Sequence, residues 1–574
     1  MRAGDGQSGR WRAGAGACPI PRADAGASGP AGRWRARGAR RLSRVRRGLD
    51  RVRPAAGVGR GAAAAAGVGR AFRAGGHRAA CRAAGTPGQG VRHFRHLSTR
   101  LSTTATPTEI VILGAGPAGL GAAYQLAKQR KARVTVVEQR DTVGGAAGSF
   151  EVGGVRVDHG SHRLHPECDP AILADLRALL GDDLLLRPRH GRIRLRGRWI
   201  HFPLKPLDLL RRLPPGFVLG AAADAVTGPL RRRRREPETF ASVLERGIGP
   251  TICRDFYFPY AEKVWGVPVE DISPVQARRR VTVNSPSKLL ARVARGMRRK
   301  APASFYWPRR GYGQIAEHLR EAAERSGATV LMGTRVEAVE TLGGRAVAVR
   351  ARRGDARERL AASHVWSTVP MTTLVRLIEP APPAAVREAA ASLRFRAIVL
   401  VYLVLEAGRF SEYDAHYFPE ADVAISRLSE PKNYAALTEP RDRTVLCAEV
   451  PCDVGDAVWA MSDEELRDLV AASLARAGIP LRVPVAEVTT RRLSHGYPVY
   501  LAGFERHFDA VDAWLGEIDG LLTFGRQGLF AHDNTHHALH MAYAAVASLG
   551  MDGRFDRERW SAFRAVFDKH VVVD

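Results

Sequence analysis

Residues 110–150, IVILGAGPAGLGAAYQLAKQRKARVTVVEQRDTVGGAAGSF, constrain this chain more than any other stretch. An apolar run, Ile110–Leu113, leads into Gly114-Ala115-Gly116-Pro117-Ala118-Gly119 and then a helical pattern ending near Lys128. A second apolar run, Val134–Val137, ends on Glu138. Each glycine has a mechanical reason to be there. Gly114 permits a tight strand-to-helix turn, Gly116 lets the backbone approach a pyrophosphate, and Gly119 lets helix and strand pack closely. The helix N-terminus offers unpaired N–H groups and a partial positive charge to the same phosphates. Glu138 is placed to accept hydrogen bonds from ribose hydroxyls. A lone G-x-G-x-x-G says little. Strand, turn, helix, second strand and acid in this order predict a dinucleotide site in a parallel α/β sheet, with a nicotinamide or a flavin nucleotide as occupant.

The residues after Glu138 and Gln139 narrow that choice. Gly144-Gly145 follows, then a short hairpin pattern and Asp158-His159-Gly160-Ser161-His162. An acid, a Gly-Gly pair and D-x-G-x-H resemble the flavoprotein superfamily of amine oxidases, protoporphyrinogen oxidases and phytoene desaturases. Tyr260-Ala261-Glu262-Lys263-Val264-Trp265-Gly266 with Ile272-Ser273-Pro274, and Gly525-Arg526 before a helix starting near Thr535, resemble its UDP-galactopyranose-mutase-like branch.

The resemblance implies FAD as the cofactor. It also implies an α/β fold in which a Rossmann-like FAD-binding domain, a parallel sheet with ββα-type insertions, is interleaved with an α+β substrate domain and a helical subdomain. The boundaries expected are a basic extension (1–107), FAD-binding parts at 108–165, 306–375 and 516–574, and substrate or helical parts at 166–305 and 376–515. FAD contacts are implied for the first turn, Gly114 through Gly119, then Glu138, Gln139, Gly144, Gly145 and His162. Further contacts are implied for Val336 (main chain to adenine), Gly525, Arg526 and Thr535. The chain departs from the amine oxidases in having Ala146 directly after the Gly-Gly pair, where they carry an arginine.

The formal charge of +30 invites a nucleic-acid reading, but its distribution argues against one. Residues 1–108 hold 22 Arg, no Lys and only Asp5, Asp24 and Asp50, and so carry +19 of it. That Arg/Ala/Gly-rich stretch has too few large apolar residues to bury a core. Three readings compete for it: translated upstream GC-rich sequence, a transit peptide with VRHFRHLSTRLSTT (91–104) as its best match, or a functional basic arm. Between Met1 and Met297 there is no methionine, so a shorter product needs an alternative start codon.

No apolar run reaches the eighteen residues of a membrane span, and no secretory h-region is visible. PLDLLRRLPPGFVLGAAADAVTGPLRRRRRE (206–236) is a helical pair with basic flanks, open to peripheral membrane contact. The six cysteines form no C-x-x-C pair and no metal spacing, which suggests unpaired thiols in a reduced, cytoplasmic compartment.

Elsewhere the pattern is periodic. Residues 168–185 predict a helix capped at Asp169-Pro170, and 314–327 another, followed by strands at 329–333 and 334–340. Residues 397–406 and 444–451 read as strands and 463–478 as a helix. In HGRIRLRGRWIHFP (190–203), Arg192, Arg194, Arg196 and Arg198 alternate with Ile193, Leu195 and Trp199. That is either a charge-protected edge strand or a cationic wall for an anionic substrate.

The chemistry expected is FAD-dependent oxidoreduction, with hydride passing from an organic, anionic small molecule to flavin N5 and oxygen or another acceptor restoring the ring. The alternatives are a mutase-like enzyme acting on a nucleotide sugar or lipid-linked precursor, and a non-catalytic flavin-binding assembly factor. Motif position makes Lys263, His162 and Arg526 the catalytic candidates, with His532, His536 and His537 behind them. Arg194, Trp265 and Arg526 are the candidates for substrate contact. No metal site and no nucleic-acid partner is expected, and the oligomeric state is open. For the cluster His532–His537, the apolar strand before it and the small-residue helix after it point to burial.

Overall fold

The structure, a computed structural model, describes residues 107–228, 238–280 and 303–572. The basic extension, the transit-like stretch 91–104 and the Arg231–Arg235 cluster lie outside the described residues.

Strand Glu109–Leu113 and helix Pro117–Lys128 form where the glycine turn requires them. The strand joins a five-stranded parallel sheet in the order Leu521–Thr523, His364–Ser367, Glu109–Leu113, Arg133–Val137, Thr329–Leu331. Both faces of such a sheet are covered, so its strands are apolar runs and do not alternate. Helix Pro117–Lys128 is buried from Ala118 to Ala127 between helices Gln314–Arg325 and Thr535–Ala547. Gly121 allows the close approach of the last, since a Cβ there would lie 2.8 Å from Leu539 Cδ2. The chain leaves Glu109–Leu113 first to one side of the sheet and later to the other. This is a topological switch point, which opens a crevice beyond the strands' carboxyl ends.

A second, seven-stranded sheet runs Val485–Pro498, Phe395–Leu405, Thr444–Cys452, Arg427–Ser429, Ala415–Tyr417, Gly191–Leu195, Arg198–Phe202. The two sheets draw on alternating stretches of chain, which is the expected interleaving of an α/β cofactor domain with an α+β domain. Helices between Pro206 and Arg280 form the helical part. Helix Pro170–Leu180 is capped as expected, the Asp169 carboxylate accepting from the N–H groups of Ala171 and Ile172. Among the described residues no helix is long and apolar enough to cross a membrane, and Cys168, Cys253, Cys447 and Cys452 are buried free thiols.

The arginine alternation at 192–198 does not make one cationic face. The chain turns at Arg196-Gly197, where both residues adopt positive φ, so Ile193 pairs with Ile200 and Arg194 with Trp199. Arg194 is only 9% exposed and is engaged by Glu420 and Asp422. Arg192 stacks over Trp199 and Tyr413, and Arg196 pairs with Asp255.

Hairpin Ser149–Val152/Val155–Asp158 is clamped to the Gly311–Gly313 loop by Asp158, which accepts from Tyr312 N at 2.8 Å and from the Ser149 hydroxyl. Burial pushes the Asp158 carboxyl up to about 6, against the pull of Ser149 and Tyr312. The folded state thus binds this proton more tightly than the unfolded chain does, and stability from this group falls as pH rises from about 4 through about 6. Urea midpoints measured across that window should therefore fall relative to those of Asp158→Asn. Parallel curves for the two proteins would contradict the assignment.

Candidate functional site

A cavity of about 670 Å³ occupies the crevice. Its floor is the glycine turn: Gly114, Gly116, Pro117 and Ala118 line it, with Val137, Glu138, Gln139 and Arg140 beside them. Ala115 and Gly119 stand behind that wall and shape it. A Cβ on Gly119 would sit 2.0 Å from Gly114 O, whereas one on Gly116 would meet nothing within 4 Å, since that face is open cavity. Gly144 and Gly145 take positive φ and bring the second glycine loop against the first: Gly144 N donates to Ala115 O at 2.8 Å, and a Cβ on Gly145 would be 3.5 Å from Gly116 Cα. The Gly-Gly pair therefore packs backbone on backbone, and Gly145 also borders the cavity.

Glu138 is 8% exposed. One of its oxygens accepts from Ala115 N at 2.9 Å and the other from Arg140 N at 3.0 Å. A carboxylate has about four acceptor positions, so two remain for hydroxyls in the cavity. Val336 lines the wall next to Thr334 and Arg335, and the start of helix Thr535–Ala547 closes the far side with Asn534, Thr535 and Ala538. Gly525 has positive φ and abuts Ala118, its would-be Cβ 2.9 Å from Ala118 Cβ. An open phosphate-sized face at a helix N-terminus, a buried carboxylate with free acceptor positions and a long cavity beyond them fit a dinucleotide.

The other end of the cavity is aromatic and charged. Phe240, Tyr257, Tyr260 and Trp265 come from the helical region and Tyr497 from the long strand Val485–Pro498. Arg427 and Glu449, directly opposed on neighbouring strands, form a two-pronged pair at 2.9 and 3.0 Å; Glu449 also accepts from Ser161 N at 3.1 Å. Arg163 lines the cavity too, held by Asp414 and by the hydroxyls of Tyr417 and Tyr434.

The sequence candidates separate into two groups. His162, Trp265 and Arg526 line the cavity. The His162 Nε2–H donates to His159 O at 2.9 Å, and burial pushes its pKa down to about 4, so it is neutral near pH 7. Arg526 donates to Gly496 O at 2.9 Å and lies 5.4 Å from the Tyr497 ring centroid, tying the Gly525 turn to the long strand. Lys263 and Arg194 are not part of the wall. The Lys263 ammonium holds the carbonyls of Phe418, Glu420 and Ile425, so it pins a loop beside the cavity; burial lowers its pKa to about 8. His532 and Asp533 are 1% and 2% exposed and His537 is 9%, so the 532–537 cluster faces inward.

Sequence reasoning missed Arg163, Arg427, Glu449 and Tyr497. Only Glu449 left a trace, as the one charge inside the wholly buried strand Thr444–Cys452.

Comparison with known proteins agrees with this geometry. The family model of flavin-containing amine oxidoreductases matches residues 117–504, about two-thirds of the chain. A phytoene dehydrogenase of Streptomyces griseus is 27% identical over 264 residues, covering 42% of this chain and 50% of its own length; the chain spans about half the length of that curated relative. Among solved structures, a reduced UDP-galactopyranose mutase superposes with a TM-score of 0.66 at 21% identity, covering 77% of this chain and 93% of that one. Putrescine oxidase bound to putrescine does so with 0.55 at 18% identity, covering 77% and 98%.

Proposed function

Because the chain belongs to the family of flavin-containing amine oxidoreductases, we propose that it is an FAD-dependent oxidoreductase acting on an organic substrate with an anionic group. Bound FAD supplies a two-electron acceptor for hydride from a substrate carbon, and oxygen or another acceptor then takes the electrons. The observation that carries this reading is the continuity of one cavity from the Gly116 and Glu138 cradle to the aromatic wall around Tyr260, Trp265 and Tyr497.

The chain's own groups have separable roles. Gly116 and the N-terminus of helix Pro117–Lys128 receive phosphates, and Glu138 receives ribose hydroxyls. The thirteen-residue helix Thr535–Ala547 brings partial positive charge to the cavity wall, which favours negative charge developing there. Tyr260, Trp265 and Tyr497 provide flat walls that exclude water. Arg163 and Arg427, each oriented by a buried carboxylate, offer fixed positive charge to a substrate anion. His162, kept neutral at pH 7 by its burial, contributes an uncharged polar wall.

Purified protein should be yellow, and Glu138→Arg, which places a cation at the ribose position, should be colourless, with circular dichroism reporting whether its fold is kept. A colourless wild type would end the FAD reading. Anaerobic bleaching of the flavin by candidate substrates, porphyrinogens and amines among them, then tests the oxidoreductase assignment.

One observation favours a second reading. The concentration of Arg163, Arg427, Arg526, Tyr260 and Tyr497 at one end of the cavity suits a diphosphate, as in an isomerase of nucleotide sugars without net redox change. Turnover of a nucleotide sugar only after dithionite reduction would select it.

A further inference from the structure

We propose that Asp533, His537 and His570 bind a divalent transition-metal ion, with zinc as the expected occupant, and that this ion latches the C-terminal segment onto the cavity wall. The three residues come from different places. Asp533 ends the loop before helix Thr535–Ala547, His537 lies one turn on, and His570 follows the last helix, Arg557–Phe567. His537 Nδ1 is 3.5 Å from one oxygen of Asp533, and His570 Nδ1 is 3.4 Å from the other. All three donor atoms lie within 4.8 Å of one another. Zinc with bonds of about 2.0–2.1 Å holds tetrahedral ligand atoms about 3.3–3.4 Å apart, so each imidazole already stands at ligand spacing from the carboxylate and the two rings must close on one another.

Charge points the same way. The Asp533 side chain is 1% exposed, and among the described residues its Oδ1 accepts no hydrogen bond, His537 Nδ1 being the ionisable neighbour at 3.5 Å. A buried carboxylate needs compensating positive charge. Protons on both imidazoles would be one source, but His537 Nδ1 already accepts from Asn534 N at 3.3 Å, so a proton on that nitrogen would meet another N–H. Nδ1 has one in-plane lone pair, so a cation beside Asp533 takes that lone pair over at the expense of one long hydrogen bond. The His537 and His570 rings stack with centroids 4.2 Å apart and 13° between planes. Two charged imidazolium rings repel in that arrangement, and two neutral rings share one ion by tilting out of the stack until it lies in both ring planes.

Two imidazoles and a carboxylate form a donor set suited to zinc or another first-row divalent ion. Three protein donors leave a fourth position for water. Asp533 and Val572 both line the cavity, so a bond to His570 holds the last described residues in the wall of the substrate site.

The test uses the full chain with its flavin, treated with chelator, desalted and titrated with zinc chloride by calorimetry, with bound metal counted by elemental analysis. Wild type should take up one tightly held equivalent. His570→Ala and His537→Ala should each weaken binding by roughly 100-fold or more, His570→Ala at unchanged flavin content. His570→Cys, which restores a zinc donor, should recover it, and His540→Ala should bind as wild type does. Absence of zinc binding in the folded wild type would overturn the proposal. So would uptake that is equal in wild type and His570→Ala, which marks scattered histidines as the binders.

Discussion

Gly116→Val should give a protein that melts with the flavin-stripped wild-type protein and carries no flavin. Gly116 has φ −77° and ψ 177°, an extended conformation open to any residue and the one preferred before a proline, so valine introduces no backbone strain. Apart from its chain neighbours, no described atom lies within 4 Å of the new Cβ, so the empty protein has room for it. The side chain instead fills the open face at the N-terminus of helix Pro117–Lys128, where the phosphates would approach. Loss of that approach should weaken flavin binding by at least about 1,000-fold, close to 4 kcal/mol. Gly119→Ala is the informative opposite. Its Cβ would fall 2.0 Å from Gly114 O, so the turn itself must open, and a loss of roughly 3 kcal/mol or more of stability is expected. The ratio of flavin to protein absorbance and a thermal melt read both variants. A yellow Gly116→Val would remove the phosphates from this turn.

The difference between these glycines was legible in the sequence because a strand–turn–helix obeys local rules: spacing alone assigned close packing to Gly119 and close approach to Gly116. Local rules also found the Asp169 cap and the helix starting at Thr535. They failed where one residue changed the register. Arg196 and Gly197 turn the chain through positive φ, so the apparent arginine face of 192–198 is folded back on itself and Arg194 is buried against Glu420 and Asp422. Lys263 shows a different limit. Its motif position was informative, but its ammonium answers three carbonyls of a loop some 155 residues away, and nothing near it in the chain announces them. The substrate end of the cavity is assembled by strand register, which brings Arg427 opposite Glu449 and carries Tyr497 into the same wall.

That pair yields the second large expectation. Arg427 and Glu449 side chains are 13% and 4% exposed, and the pair lines the cavity. Removing one partner leaves the other charge buried without compensation, so Glu449→Leu should cost about 3–5 kcal/mol. Part of that is the Ser161 N–H, which loses its acceptor and accounts for about 1 kcal/mol. If the cost arises mainly from the stranded guanidinium, adding Arg427→Met must recover most of it, because the second substitution removes the charge and fills the space. The recovery should stop about 1 kcal/mol short, for the Ser161 N–H stays unpaired. Stability and function then separate. The double variant should bind flavin normally, since neither residue touches the glycine turns, but its KM for an anionic substrate should rise by at least about tenfold. Denaturant midpoints, flavin content and steady-state kinetics on the two single variants and the double complete the cycle. A double variant as stable as expected but with wild-type KM would make the pair a structural brace, and would move recognition of the substrate's charge to Arg163 and Arg526.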